Sequence, residues 1–155
     1  MNFLKFLMLL ALSIWLGGIL FFSAVEAPLI LSHVPGRVVA GEIISRSLAE
    51  LHWLGMICGL VFLLASLLRN FLAGDTKLLT LPHVLMILML AATAISQYLV
   101  LPAIAELRAA QTDPAAAARF QHLHRWSVGL EGAVLFLGLL VLYLQASDSS
   151  IRRQP

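Results

Sequence analysis

Glu131 is the residue best able to do chemistry in this sequence, because it is a carboxylate inside a long apolar segment. Ionisable groups in membrane-crossing segments are costly, and they usually face a bundle interior, a water-filled cavity or a partner. His124, Ser127 and Glu131 stand at i, i+3 and i+7, which puts them on one stripe of a helix. With Gln121 one turn earlier, this stripe predicts a site suited to a cation, a proton relay or a small polar ligand.

Polar side chains on the other apolar segments can join Glu131 if the segments form a bundle. Glu26 precedes Pro28, which removes one backbone hydrogen-bond donor. His52 begins the second segment and Gln97 lies near the end of the third. The alternative for Glu131 is a buried structural carboxylate, and for Glu26 an ordinary interfacial charge at a helix end. The predicted polar pocket near one membrane face has these candidates: Glu26, His52, Gln97, His124, Ser127 and Glu131.

Two histidines support an alternative hypothesis, a haem- or metal-binding membrane redox protein that uses His52 and His124. His122 and His124 form an i, i+2 pair, which points to different helix faces and is not the i, i+4 pair of a helical zinc site. The sequence contains no nucleophile elbow, phosphate loop, CxxC pair or Rossmann glycine pattern. It therefore favours a binding or transport-associated protein over an enzyme, and no cofactor is predicted for it.

Composition places the elements that hold these residues in a lipid bilayer. Of the 155 residues, 61% are hydrophobic and 12% are charged, against about 25% charged residues in an ordinary soluble domain. A hydrocarbon core about 30 Å thick takes roughly 20 helical residues to cross. Four apolar stretches meet that length, at residues 6–25, 51–68, 78–105 and 126–146. Because lipid cannot satisfy open backbone groups, we predict an all-α polytopic membrane protein, an antiparallel four-transmembrane-helix bundle.

The connections and the C-terminus complete the predicted organisation. Between the first two crossings, Val38, Ile43 and Ile44 alternate with charged residues at helical spacing, which predicts a short amphipathic interfacial helix. Asp113 and Pro114 precede four alanines, a pattern typical of an N-cap with proline at N1. The fourth helix is thus expected to begin outside the membrane. We predict a four-helix transmembrane domain over residues 1–147 and a polar disordered tail over residues 148–155.

Small residues on the first two segments predict close helix packing. Glycine pairs allow another helix to approach, and a small-xxx-small motif on the second segment has the same effect. These glycine faces give a third hypothesis, a surface on which a partner docks. The candidates for helix packing and helix ends are Trp15, Gly17, Gly18, Pro28, Gly55, Gly59 and Pro102.

The expected partners follow from composition and size. The ten Lys and Arg residues are scattered at helix ends, as lipid-headgroup anchors are, so nucleic acid is not predicted. A homodimer is expected, because one 155-residue bundle is small for a transporter. Lys and Arg are tied at five on each side of the predicted bundle, so the positive-inside rule does not choose an orientation. Arg69 and Lys77 crowd one very short loop, which favours cytoplasmic termini in a bacterial inner membrane.

Four groups of residues together resemble the transmembrane protein 205-like family, also described as domain of unknown function 4149. They are Trp15 to Phe22 with Ala27-Pro28, Ala40-Gly41, Gln97 with Pro102 and Glu106 to Arg108, and Phe120 with Leu123, His124 and Ser127. The resemblance implies a small four-helix integral membrane protein without an established activity. It implies these characteristic positions: Trp15, Gly17, Gly18, Pro28, Gln97, Pro102, His124 and Ser127. Asparagine usually stands in the family where this chain has Glu131, so a mechanism resting on Glu131 would be particular to this chain or its near relatives.

Overall fold

Helical segments joined end to end or by short turns form the structure, a computed structural model that describes residues 2–74, 79–109 and 113–151. In chain order they are α1 (Asn2–Phe21), a first π-helical turn (Phe22–Glu26), α2 (Ala27–His33), α3 (Arg37–Leu72), α4 (Leu81–Ile95), a second π-helical turn (Ser96–Val100), α5 (Leu101–Ala109) and α6 (Pro114–Ile151). These described ranges contain no strand. The all-α prediction is confirmed.

Four crossings result, each long and apolar enough to span a membrane. They cover Asn2–His33, Arg37–Leu72, Leu81–Arg108 and Pro114–Ser147. The crossings pack side by side, with α3 against α1 and α4, and α6 against α4. The predicted four-helix membrane bundle is confirmed. The third predicted segment began at Leu78, which lies outside the described residues.

One detail differs from the sequence prediction: the amphipathic segment before the second crossing is not a separate helix. It forms the first part of α3, which begins at Arg37 and continues without a break to Leu72. Gly36, with a φ of 90°, provides the turn before it. From Glu42 to Leu54 the sequence has neither proline nor glycine, so nothing separates the amphipathic part from the membrane-crossing part.

The fourth crossing begins as its sequence predicts. The backbone N–H groups of Ala115 and Ala116 each donate a hydrogen bond of 3.3 Å to the carboxylate of Asp113. Asp113 therefore caps the helix. At its other end α6 continues to Ile151, so the first residues of the predicted disordered tail are helical. Residues 152–155 lie outside the described residues, and disorder there stays a prediction.

Trp15 occupies the centre of the core and explains the glycines of α3. A Cβ atom on Gly55 would collide with the indole of Trp15, and one on Gly59 would lie 3.0 Å from the same ring. Gly18 faces Leu51, whose Cδ1 would lie 2.7 Å from an added Cβ, whereas a Cβ on Gly17 would meet open space. The small-residue motif of α3 therefore receives a large aromatic side chain, rather than the backbone of a neighbouring helix.

The packing of Trp15 gives a direct test. Gly55→Ala should lower the free energy of unfolding by about 1–3 kcal/mol, because the methyl group overpacks the indole site. Gly17→Ala is the matched control and should leave stability unchanged or slightly raised, because nothing lies near its Cβ and alanine favours helix. Thermal unfolding in mild detergent measures both variants. Equal behaviour of the two would show that the indole does not fill the α3 groove.

Candidate functional site

His52 lies at the centre of a hydrogen-bonded chain that joins three crossings. Its Nδ1 lies 2.8 Å from Oε1 of Gln97, and its Nε2 lies 2.6 Å from Oε1 of Glu131. His52 is 1% exposed, and the side chain of Glu131 is 13% exposed. The structure thus brings together three of the residues that the sequence singled out, one each from α3, the second π-helical turn and α6.

A π-helical turn holds Gln97 in place. The N–H of Leu101 donates to the carbonyl of Ser96, five residues back instead of four. Pro102 follows immediately and has no N–H to donate to the carbonyl of Tyr98. The first crossing repeats this arrangement, with a π-helical turn over Phe22–Glu26 just before its own proline. Such turns interrupt the regular helical register and occur frequently at functional sites.

The Gln97–His52–Glu131 chain has a defined proton count. Oε1 of Gln97 is an acceptor, so Nδ1 of His52 carries a hydrogen and donates it. The contact between Nε2 and Glu131 then needs one further hydrogen, which either atom can carry. With that proton the pair is neutral overall, and without it the pair has one negative charge. A single proton therefore distinguishes the neutral pair from the charged pair.

A cavity of about 960 Å³ lies beside Glu131. The first crossing, the start of α3, α5 and α6 form its walls. The predicted stripe of α6 lines it, since His124, Ser127 and Glu131 all face the space, as does Gln121. His52 does not line the cavity and lies behind Glu131. The carboxylate is thus the part of the hydrogen-bonded chain that a ligand can reach.

The remaining predicted site residues lie in different surroundings. Glu26 is partly buried on the first π-helical turn, but it neither lines the cavity nor contacts His52, Gln97 or Glu131. His124 is exposed, and its ring stacks on Phe120 with 6.2 Å between centroids and 5° between planes. Of the two prolines that the sequence singled out, Pro28 and Pro102, both are exposed and only Pro28 lines the cavity.

The geometry at His52 bears on the haem or metal hypothesis. A metal ligand needs a ring nitrogen with a free lone pair, and both nitrogens of His52 already have hydrogen-bond partners. Within the ranges that the structure describes, no three His, Cys, Asp or Glu side chains are grouped so as to hold a metal ion. In this arrangement neither ring nitrogen of His52 is free to bind an iron shared with His124.

Two arginines in the cavity wall were missed by the sequence reasoning, which took them for lipid anchors. Arg37 begins α3 and Arg108 lies near the end of α5, and both line the cavity. Nη2 of Arg108 donates to Oγ of Ser45, and its guanidinium lies over Gly41, 3.5 Å from where a Cβ would be. The only available sequence signal was that Ala40-Gly41 and Arg108 both occur among the family-like residues.

The hydrogen-bonded chain makes a prediction for stability. Glu131→Ala should lower the free energy of unfolding by about 1–3 kcal/mol, because it leaves a buried ring nitrogen of His52 without a partner. Glu131→Gln should cost much less, because its amide still reaches that nitrogen. Combining Glu131→Leu with His52→Leu should cost less than the sum of the two single changes. Thermal unfolding in mild detergent reports all five variants, including the two single leucine changes, and additive losses would show that the two side chains are not paired.

Comparison with known proteins gives a family for the chain. Residues 10–113, more than half of the protein, match the family described as Domain of unknown function (DUF4149). The match includes His52, Gln97 and both arginines of the cavity, and it ends before α6 and Glu131. No curated protein and no solved structure matches the chain. With four apolar crossings and this match, the chain is a small integral membrane protein that belongs to the domain of unknown function family DUF4149.

Proposed function

We propose that this protein binds a ligand in the cavity and couples that binding to one proton on the His52–Glu131 pair. The observation that carries the proposal is the position of Glu131, which lines the cavity and also hydrogen-bonds the buried ring of His52. A carboxylate with only a structural role has no need of an open space of about 960 Å³ beside it. The cavity lies at the upper end of the range of about 300–1,000 Å³ for small-molecule sites.

The sign of the coupling follows from solvation. A ligand that fills the cavity displaces water from Glu131, and loss of water disfavours the charged state of the pair. The neutral state holds one more proton than the charged state. An uncharged or anionic ligand should therefore bind more tightly as the pH falls, and a cationic ligand should show the opposite dependence.

Other charged groups around the cavity must be separated from this effect. Arg37 on α3 and Arg108 on α5 line the space, and the first crossing contributes no charged side chain to the walls. His124 on α6 is a further ionisable side chain that lines the cavity. The binding experiment therefore needs His124→Gln as a control beside Glu131→Gln.

Thermal stabilisation in mild detergent tests the proposal, because a ligand that binds only the folded protein raises its melting temperature. The probes are anionic, zwitterionic, uncharged and cationic amphiphiles, each measured between about pH 5 and pH 8. At least one class should stabilise the protein in a pH-dependent manner, and Glu131→Gln should abolish that dependence.

Two controls make the result specific to Glu131. Glu50→Gln removes an exposed carboxylate of α3 that does not line the cavity, and should behave as the wild type. His124→Gln should keep the pH dependence. The proposal is wrong if no class of probe stabilises the protein. It is also wrong if stabilisation of Glu131→Gln depends on pH as that of the wild type does.

The orientation of the bundle in the membrane is a further part of the proposal. We expect cytoplasmic termini in a bacterial inner membrane, which would open the cavity to the periplasmic side. A green fluorescent protein fused to the C-terminus should then fluoresce, whereas an alkaline phosphatase fusion there should be inactive, and the reverse result would invert the orientation. The narrower transmembrane protein 205-like relationship, the homodimer and a small polar ligand or cation as cargo stay predictions.

A further inference from the structure

We infer that the ligand is an anionic membrane lipid, which enters the cavity sideways and places its phosphate near Arg108 and its acyl chain along the inner walls. This inference rests on the proposed function and names its ligand class.

Positive charge is concentrated at the outer end of the cavity. Arg37 and Arg108 are both there, and Glu131, the acidic residue among the wall residues, hydrogen-bonds His52 farther inside. The N-terminus of α3 adds to the positive potential, since its N-cap is Gly36 and no side chain caps it. This end of the cavity complements an anion.

Arg108 differs from an ordinary lipid-anchoring arginine. It is partly buried, and its Nε is shielded from solvent without an acceptor in the described part of the chain. No carboxylate of that part forms an ion pair with it: Glu42 pairs with Arg46 at 2.7 Å and acts on Arg108 only as a nearby charge. Beyond Ser45, the guanidinium therefore has donors to offer to a bound anion.

The inner end of the cavity is mainly apolar, with Glu131 as the ionisable residue in its wall. Its walls there are Ile19, Phe22, Leu48, Leu101 and Leu135. A free phosphate or another small anion would leave these walls in contact with water. An acyl chain covers them and adds hydrophobic stabilisation with every buried methylene group.

The cavity also opens towards lipid, between the first and fourth crossings. Pro28 and Leu31 on α2, and Val128 and Gly132 on α6, line the cavity and are exposed at the same time. An opening with these residues on its two sides lets a chain enter from the membrane without crossing water.

The length of the cavity along α6 agrees with the thickness of one membrane leaflet. The wall residues of α6 run from Phe120 to Leu135, a length of about 22 Å at 1.5 Å per residue. Trp126 is exposed on α6 as interfacial aromatic residues are, and Phe120 lies about 9 Å outside it. The remaining 13 Å or so approaches half of a hydrocarbon core about 30 Å thick.

Native mass spectrometry in a neutral detergent tests the head group. Dioleoyl phosphatidylglycerol should bind the wild type, and dioleoyl phosphatidylcholine, with the same chains and no net charge, should bind about tenfold or more weakly. Arg108→Gln should weaken phosphatidylglycerol binding by a similar factor. Arg119→Gln, an exposed arginine of α6 outside the cavity, should not. Equal binding of both lipids, or equal effects of the two variants, would overturn the inference.

Two glycines of α6 test the chain and its entry. A Cβ on Gly132 or on Gly129 meets no atom within 4 Å, but only Gly132 lines the cavity. Gly132→Phe should block phosphatidylglycerol binding, and Gly129→Phe should not. Glycerol 3-phosphate, which has the head group but no chain, should not bind measurably. If glycerol 3-phosphate bound as tightly as the lipid, the cavity would be a site for a soluble anion and the lipid inference would be wrong.

The two levels of the proposal fail separately. If a cationic or uncharged amphiphile stabilises the protein with a pH dependence that Glu131→Gln removes, while phosphatidylglycerol does not bind, the lipid inference is wrong and the proton-coupled site stands. If no probe of any class binds, both are wrong.

Discussion

The burial of His52 between Gln97 and Glu131 is the constraint on which the arrangement of the bundle depends. A buried imidazole without partners would cost several kcal/mol, so both of its neighbours must lie within hydrogen-bond distance at once. They come from two other crossings, so α3, the third crossing and α6 can neither slide nor rotate freely against one another. Apolar packing alone, as between Trp15 and the glycines of α3, tolerates such shifts more easily because it is not directional.

A second buried polar level lies at the opposite end of the same three crossings. Its residues Ser66, His83 and Gln145 each stand 14 residues from their counterparts His52, Gln97 and Glu131, about 21 Å along the helices. His83 caps the start of α4 through Thr80, whose hydroxyl lies 2.7 Å from Nδ1. Buried apolar residues such as Phe62, Met89 and Val134 lie between the two levels. The hydrogen-bonded chain around His52 therefore lies beside a cavity on one side, and buried apolar residues separate it from the other end of the bundle.

The sequence was sufficient for the architecture, because crossing a membrane needs only length and hydrophobicity. It also identified His52, Gln97 and Glu131, since polar groups in apolar helices are rare and must find partners. The sequence did not exclude Glu26 from the predicted pocket. The direction of its side chain near a proline depends on the π-helical turn, which no residue pattern predicts. It missed Arg37 and Arg108, because arginine near a membrane surface is ordinary and its position inside a cavity depends on how four helices meet.

The two ends of the cavity are too far apart to communicate mainly by direct charge interaction. Phe120, the first wall residue of α6, and Glu131 are separated by about 16 Å along α6. Two unit charges at that distance interact by about 1 kcal/mol in a medium of effective dielectric constant 20. In the proposed complex, displacement of water by the acyl chain acts at Glu131 itself and is the stronger influence on the pair. Both effects would favour the neutral, proton-bearing state, so the proposal requires that an anionic lipid and a proton bind cooperatively, each strengthening the binding of the other.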